Sequence, residues 1–305
     1  MKVVFSPRYQ LDIGPHVWPT AKYDLISARL IADRRAGPDG FADPAPSPWE
    51  DLALVHTADY LDKIRTNRLT REDEFRLELP FSPAIAEGFR LMTGGTQLAG
   101  RLALRDGLAV HLGGGLHHAF AGHGEGFCLF NDVAVSIREL QRDGRIRRAA
   151  VVDCDVHHGN GTAHIFGGDA SVFTFSIHQQ HNYPLLKPPS DLDIGLRDGT
   201  GDDTYLHDLE LALPDVLSSS PDLIYYLAGA DPYREDQLGG LALSFEGLRH
   251  RDQMVLEATR SIPLVIVLAG GYARRVEDTV AIHTATVVEA LASAAAHRRA
   301  GLPRA

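Results

Sequence analysis

Cysteine is nearly absent from this chain. Two residues in 305, Cys128 and Cys154, form no CxxC pair. That excludes a disulfide framework and makes a reducing cytoplasm the expected compartment. Basic charge is also scarce. Thirty Lys and Arg stand against 40 Asp and Glu, a formal net of −10. A general nucleic-acid binder carries the opposite balance, so no nucleic-acid partner is expected. By inspection, no apolar run approaches the ~18 residues of a membrane span, so none is expected. The opening Met1–Pro7 enters a strand-like run without the apolar core of a signal peptide. There is no internal repeat and no break in composition. A single domain over 1–305 is expected, looser at Arg34–Ser47 and with a tail from about 297 to 305.

What is present is a large apolar fraction, 44% of residues, and 29 glycines that gather in short runs. Apolar, β-branched segments recur at Leu108–Leu112, Ala149–Val152, Ser171–Ile177, Leu223–Leu227 and Leu264–Leu268. Near-continuous apolar strands suit a sheet covered on both faces. Helical spacing lies around them at Pro83–Leu104, Asn131–Gln141, Asp202–Leu217, Ser244–Arg260 and Val276–Ala296. Ser82 followed by Pro83 is a helix start. The alternation predicts an α/β fold: one three-layer domain with a mostly parallel central sheet and helices on both faces. Polar and glycine residues follow the strands, where open α/β sheets bind ligands.

The densest chemistry lies in Val151–Thr162, which reads VVDCDVHHGNGT. Asp153, Asp155 and His157 alternate, so an extended backbone would send all three to one side. A carboxylate and an imidazole aimed at one point make half of a metal site. A solvated strand end is the bland reading, and four ionisable groups in six positions weigh against it. Gly113-Gly114-Gly115 precedes His117 and His118. Neighbouring side chains diverge, so the two histidines suit proton transfer in one pocket rather than a shared metal. Asp231 ends another strand after Gly229-Ala230 and supplies the third ligand that a catalytic zinc site needs. Tyr272 follows Gly270-Gly271, where a phenol can donate to a developing oxyanion. Together these groups suit metal-assisted hydrolysis of a carbonyl compound. His178 and His181 are read as non-ligands, Cys154 as a packing residue, Cys128 as a pocket-lining thiol, and Asp202 and Asp203 as helix-start acids.

Taken in order, the blocks Gly113–Ala119, Gly126–Cys128, Asp153–Thr162, Phe175–His178, Gly229–Asp231 with Asp236–Gly240, and Gly270–Tyr272 resemble the histone deacetylase family of the arginase/deacetylase fold. They span about half the chain. Thr93–Thr96 and Asp202–Tyr205 look most like the class IV branch and its bacterial relatives, which implies a bacterial source. The resemblance implies a zinc-dependent deacylase acting on an acylated lysine in a protein or peptide, or on an acylated small amine such as an acetylpolyamine. It implies Zn²⁺, with Fe²⁺ as an alternative, on Asp155, His157 and Asp231. It implies proton transfer by His117 and His118, with Asp153 orienting His117, Asn160 holding His118, and Tyr272 polarising the carbonyl. Phe127, Tyr183, Gly126 and Gly270 would form the substrate tunnel. A structural K⁺ would sit among Asp153, Asp155, His157, Ser176 and Ile177, and a second near Phe166 and Val172. Asn160 stands where class I members have Asp, as in the class II and class IV patterns. A binuclear manganese ureohydrolase of the same fold is a rival, but its Asp-x-His-x-Asp run is replaced here by Asp-x-Asp-x-His. A non-catalytic module that binds acyl-lysine or polyamine is the rival from another class.

Overall fold

The computed structural model describes residues 1–299. Eight strands build one sheet: β1 (Val3–Val4), β2 (Phe41–Ala42), β3 (Leu108–His111), β4 (Ala149–Asp153), β5 (Val172–Gln179), β6 (Leu192–Leu196), β7 (Leu223–Leu227) and β8 (Leu264–Val267). Their order is β2-β1-β3-β8-β7-β4-β5-β6, and every pairing is parallel. Ten α-helices accompany them among the described residues: α1 (Lys22–Ala32), α2 (Trp49–Leu52), α3 (Ala58–Arg65), α4 (Arg71–Leu77), α5 (Pro83–Asp106), α6 (Asp132–Arg142), α7 (Asn160–Phe166), α8 (Asp202–Ser218), α9 (Phe245–Ala258) and α10 (Val276–Arg299). The three-layer α/β architecture expected from the strand-helix alternation is the one observed.

Strand alternation explains the layers. Val110, Val152, Ile224, Tyr226 and Ile266 join one core with residues of α1, α8, α9 and α10. Their neighbours Ala109, Val151, Tyr225 and Val265 join another with residues of α5 and α6. Each central strand therefore buries both faces, which is why it reads as continuously apolar. A third cluster, from the N-terminal segment and α3 to α5, includes Leu116, Cys128 and Phe130 and lies beside the glycine turns. Helix starts follow the expected chemistry. Ser82 accepts from Ile85 N at 3.2 Å, and Asn131 accepts from Ala134 N at 3.0 Å.

Two expectations change. The Arg34–Ser47 stretch is not merely loose, because it contributes edge strand β2. Within α10, Val276–Ala296 is long and apolar enough to cross a membrane by length and composition, contrary to the reading that no run is. Half of that window is buried in the protein, where α10 packs on α1 and α9 as a core helix does. Of the tail expected from about 297 to 305, the first residues belong to α10, which runs to Arg299, and 300–305 lie outside the described residues.

The strand order positions the site. After β3 the chain crosses to β4, moves outward to β6, and then returns to fill the gap with β7 and β8. The loops after β3, β8, β7 and β4 are thus four neighbours at one end of the sheet. This is the crevice where the order reverses.

Candidate active site and metal centre

Gly113–His118 leaves β3 by a turn in which Gly114 and Gly115 have φ of +76° and +80°. A side chain at Gly115 would also collide with Ala269. Only glycine meets both demands. Asp132, fully buried at the start of α6, holds this turn by accepting from Gly115 N (3.0 Å) and Leu116 N (2.7 Å).

The turn delivers His117 and His118 together. Their side chains do not diverge as adjacent residues usually do. The ring centroids are 4.1 Å apart and the two Nε2 atoms 3.1 Å apart. His117 Nδ1 lies 2.7 Å from Asp153 Oδ2, and His118 Nδ1 lies 2.7 Å from Asn160 Oδ1. Both rings are buried. Burial opposes charge on His117, but Asp153 and Asp155 more than offset it and raise its pKa to about 9. For His118, burial and then repulsion from His117 and His157 push the pKa well down. One ring of the pair is held charged and the other neutral.

The acidic segment departs from the extended path expected for it. Strand β4 ends at Asp153. Beyond it, Asp155 N donates to Asp153 Oδ1 (3.1 Å) and His157 N donates to Asp155 Oδ1 (3.0 Å). Two successive side-chain turns therefore aim the residues, in place of strand alternation. Asp231 enters from the loop after β7. Ligand atoms of Asp155, His157 and Asp231 all lie within 4.8 Å of one another, and all three residues are buried. His157 Nδ1 is 3.0 Å from Asp155 Oδ1 and 3.6 Å from Asp231 Oδ2. Asp231 Oδ1 accepts from Val156 N at 2.9 Å, while Oδ2 is buried without a hydrogen-bond partner. Asp155 Oδ2 accepts from Gly270 N at 2.9 Å. Burial and the Asp155 charge push the Asp231 carboxyl up to about 7. In the absence of a cation, the two carboxylates overcome burial and hold His157 protonated, with a pKa of about 10. Two crowded buried carboxylates, one with an orphan oxygen, beside one imidazole fit a divalent cation that accepts mixed N and O donors.

The loop after β8 closes the site. Tyr272 N donates to Asp236 Oδ2 (2.6 Å), and Asp236 Oδ1 accepts from Leu238 N (2.8 Å) and Gly239 N (3.0 Å). The Tyr272 ring stands 6.5 Å from His157 and 5.9 Å from Phe127, centroid to centroid. Burial, then Asp155 and Asp231, keep its phenol protonated by raising its pKa well above the usual value. A narrow pocket of about 150 Å³ leads in. It is lined by Phe127, Tyr183, Gly126, Leu238 and Glu78, with His118, His157 and Tyr272 at its inner end. Gly270 was expected in the tunnel wall. It lies deeper, in a smaller chamber with Asp155, Cys128 and Gly115. Ser176 is the register partner of Asp153 across β4 and β5, so the residues proposed for K⁺ share one corner of the sheet.

Sequence reasoning missed several residues that position this site. Arg251 is fully buried in α9 and donates to Gly229 O (2.6 Å) and Cys154 O (3.4 Å), joining the two ligand-bearing loops. Lys22, fully buried in α1, donates to Ala269 O (2.8 Å). Glu125 accepts from Asn160 Nδ2 (2.7 Å) and from the Tyr183 hydroxyl (3.1 Å). None of these lies in a motif. Asp132, at the start of α6, drew no expectation from the sequence. Asp202 was read as a helix-start acid, and it also accepts from Ser244 N and Oγ at the start of α9.

Comparison with known proteins agrees with this architecture. A family model described as histone deacetylase domain matches residues 16–288. An uncharacterized protein of Picosynechococcus sp. is 41% identical over 92% of this chain and 95% of its own length. Histone deacetylase 2 of Arabidopsis thaliana is 30% identical over 92% of this chain and 78% of its own. The crystal structure of a histone deacetylase homolog from Aquifex aeolicus has a TM-score of 0.82 at 24% identity. It covers 95% of this chain and 84% of that one, and it supports the fold alone.

Proposed function

This chain belongs to the histone deacetylase family, and from that premise we propose that it hydrolyses the amide of an acylated lysine or acylated small amine with a Zn²⁺-class cation on Asp155, His157 and Asp231. The convergence of those three buried residues around an orphan carboxylate oxygen carries the reading. Fe²⁺ accepts the same donors. When bound, such a cation polarises a carbonyl and lowers the pKa of water.

The protein's own groups divide the remaining work. Glu125 only accepts, so Asn160 must donate to it through Nδ2, leaving Oδ1 for His118. His118 Nδ1 then carries the hydrogen, and Nε2 is left as the basic nitrogen. His118 takes a proton from the attacking water. His117, oriented by Asp153, helps return one to the departing amine. Tyr272 donates its phenol hydrogen to the oxyanion. The narrow pocket admits a linear stem and excludes water around it. Backbone oxygens of Asp153, Asp155 and His157, with Ser176 and Ile177, would hold a structural K⁺.

One observation favours a cationic carrier on the substrate. Glu78 lines the pocket and is exposed to solvent there. An acylated polyamine or a basic peptide would place positive charge beside it. Leu185 and Leu186, two and three residues beyond the pocket-lining Tyr183, are 94% and 81% exposed.

The test is a turnover panel of acetyl-lysine peptide, long-acyl-lysine peptide and acetylated polyamine, with metal measured on the same sample. Turnover of at least one substrate, lost on chelation and restored by Zn²⁺ or Fe²⁺, is expected. Binding without turnover across the panel, or rates indifferent to chelation, overturns the reading.

A further inference from the structure

A second group of ligating side chains lies apart from the three described above. His158 follows His157 in the loop after β4, His178 is on β5, and Asp193 is on β6. One ligand atom from each lies within 4.8 Å of the others. His158 Nε2 is 3.2 Å from Asp193 Oδ1. The imidazoles of His158 and His178 meet edge to face with centroids 4.7 Å apart. Both are buried, while the Asp193 side chain is 30% exposed. That opening gives an ion a path from solvent.

The hydrogen bonding leaves coordination capacity unspent. His178 Nδ1 is held by Ser176 Oγ at 3.0 Å, which leaves Nε2 as the free nitrogen. A ligating histidine commonly fixes its other nitrogen in this way. His158 presents Nε2 to Asp193, so both imidazoles offer a nitrogen to the same point as the carboxylate. Ser190 supports the carboxylate by donating its N–H to Asp193 Oδ2 at 2.8 Å, and its hydroxyl stands 3.5 Å from His158 Nε2.

We propose that His158, His178 and Asp193 form a second metal site that takes a divalent transition cation of the Zn²⁺ class. Two imidazoles and one carboxylate suit Zn²⁺, Co²⁺ or Ni²⁺ and disfavour Mg²⁺ and Ca²⁺, which want oxygen. The three ligands come from the edge strand, its neighbour and the loop that carries His157. An ion there ties edge strand β6 to the loop bearing a catalytic-site ligand. The role is structural, and the site stands whether or not the proposed deacylase reading holds.

The test is metal stoichiometry of the full chain, stripped with chelator and dialysed against Zn²⁺ or Co²⁺. Wild type is expected to hold two ions per chain. His178→Ala and the milder Asp193→Asn should each hold one. Asp231→Asn should also hold one, and Asp231→Asn with Asp193→Asn none. In the Asp231→Asn background, Zn²⁺ should raise Tm, and adding Asp193→Asn should abolish that rise. Saturation of wild type at one ion overturns the second site. So does retention of the extra ion in both His178→Ala and Asp193→Asn, which marks it as an adventitious surface ion. Should His178→Ala fail to fold, the partly exposed Asp193 still decides the matter.

Discussion

Lys22 donates its ammonium to the carbonyl of Ala269, 247 residues away, at 2.8 Å. Ala269 has a left-handed φ of +52° and opens the turn that ends in Tyr272. The Lys22 Nζ also lies 6.0 Å from the centre of the Tyr272 ring. Burial lowers the pKa of this lysine to about 8, although Asp231, Asp155 and Asp236 favour its charge. Lys22→Met leaves the Ala269 carbonyl buried and unpaired. A loss of roughly 1–3 kcal/mol of stability is expected. Turnover should fall as well, since the turn holding Tyr272 loses its anchor. Denaturant unfolding and kcat on the same variant check both. Unchanged stability would deny Lys22 its anchoring role.

Tyr272→Phe removes only a hydroxyl. The ring keeps its contact with Phe127, and Tyr272 N keeps Asp236. Metal content and fold should stay at wild-type levels. Loss of one oxyanion donor typically costs about 2.7–4 kcal/mol in the barrier, so kcat should fall on the order of 10²–10³. A wild-type kcat would remove Tyr272 from the reaction.

Asp231→Asn keeps the shape of the side chain and Val156 N keeps an acceptor. The variant loses one negative charge from the pair of carboxylates. Occupancy of the catalytic site should drop sharply, with the fold retained. Elemental analysis with hydroxamate binding reads that site. An unchanged hydroxamate affinity at full metal load would contradict the ligand assignment.

His56, which is not a metal ligand, gives a separate pH dependence. It is buried, with Nδ1 3.1 Å from Phe120 O, and Nε2 accepts from Asn131 N at 3.2 Å. Burial lowers its pKa to about 4, against an ordinary 6.5. The folded state therefore resists protonation and the unfolded state does not. The stability this contributes is present above pH 6.5 and is lost as pH falls toward 4. The slope approaches about 1.4 kcal/mol per pH unit within that window. In His56→Gln, whose amide oxygen can still accept from Asn131, unfolding free energy should fall less steeply between pH 6.5 and 4. Parallel curves for the two proteins would refute the assignment.

The five apolar segments and five helices read from the sequence all appear, with ends within a few residues. The strand-like start of the sequence is β1, of two residues. The strands that were missed are short or half-exposed: β2 has two residues, and β6 alternates half-buried and exposed positions at the sheet edge. Their pairing is decided by neighbours, and local propensity says little about it. The site residues were legible because glycine turns and ionisable clusters directly follow apolar strands. The extended path assigned to Asp155 and His157 was wrong. Backbone N–H groups there bond to the preceding carboxylates, and that local chemistry outweighs strand continuation.

The sequence by itself determined the residue chemistry and its location: which acids, imidazoles and phenol exist, and that they follow strand ends. Periodicity and turn chemistry act over a few residues, so they are readable locally. Only the tertiary structure decided that β7 and β8 return to lie between β3 and β4 and bring Asp231 to Asp155 and His157. It also decided that Lys22 and Arg251 would be buried beneath the site, and that His158 and His178 would face Asp193. Those relationships depend on packing across 15 (His178 to Asp193) to 247 (Lys22 to Ala269) residues of chain, and no local pattern encodes them.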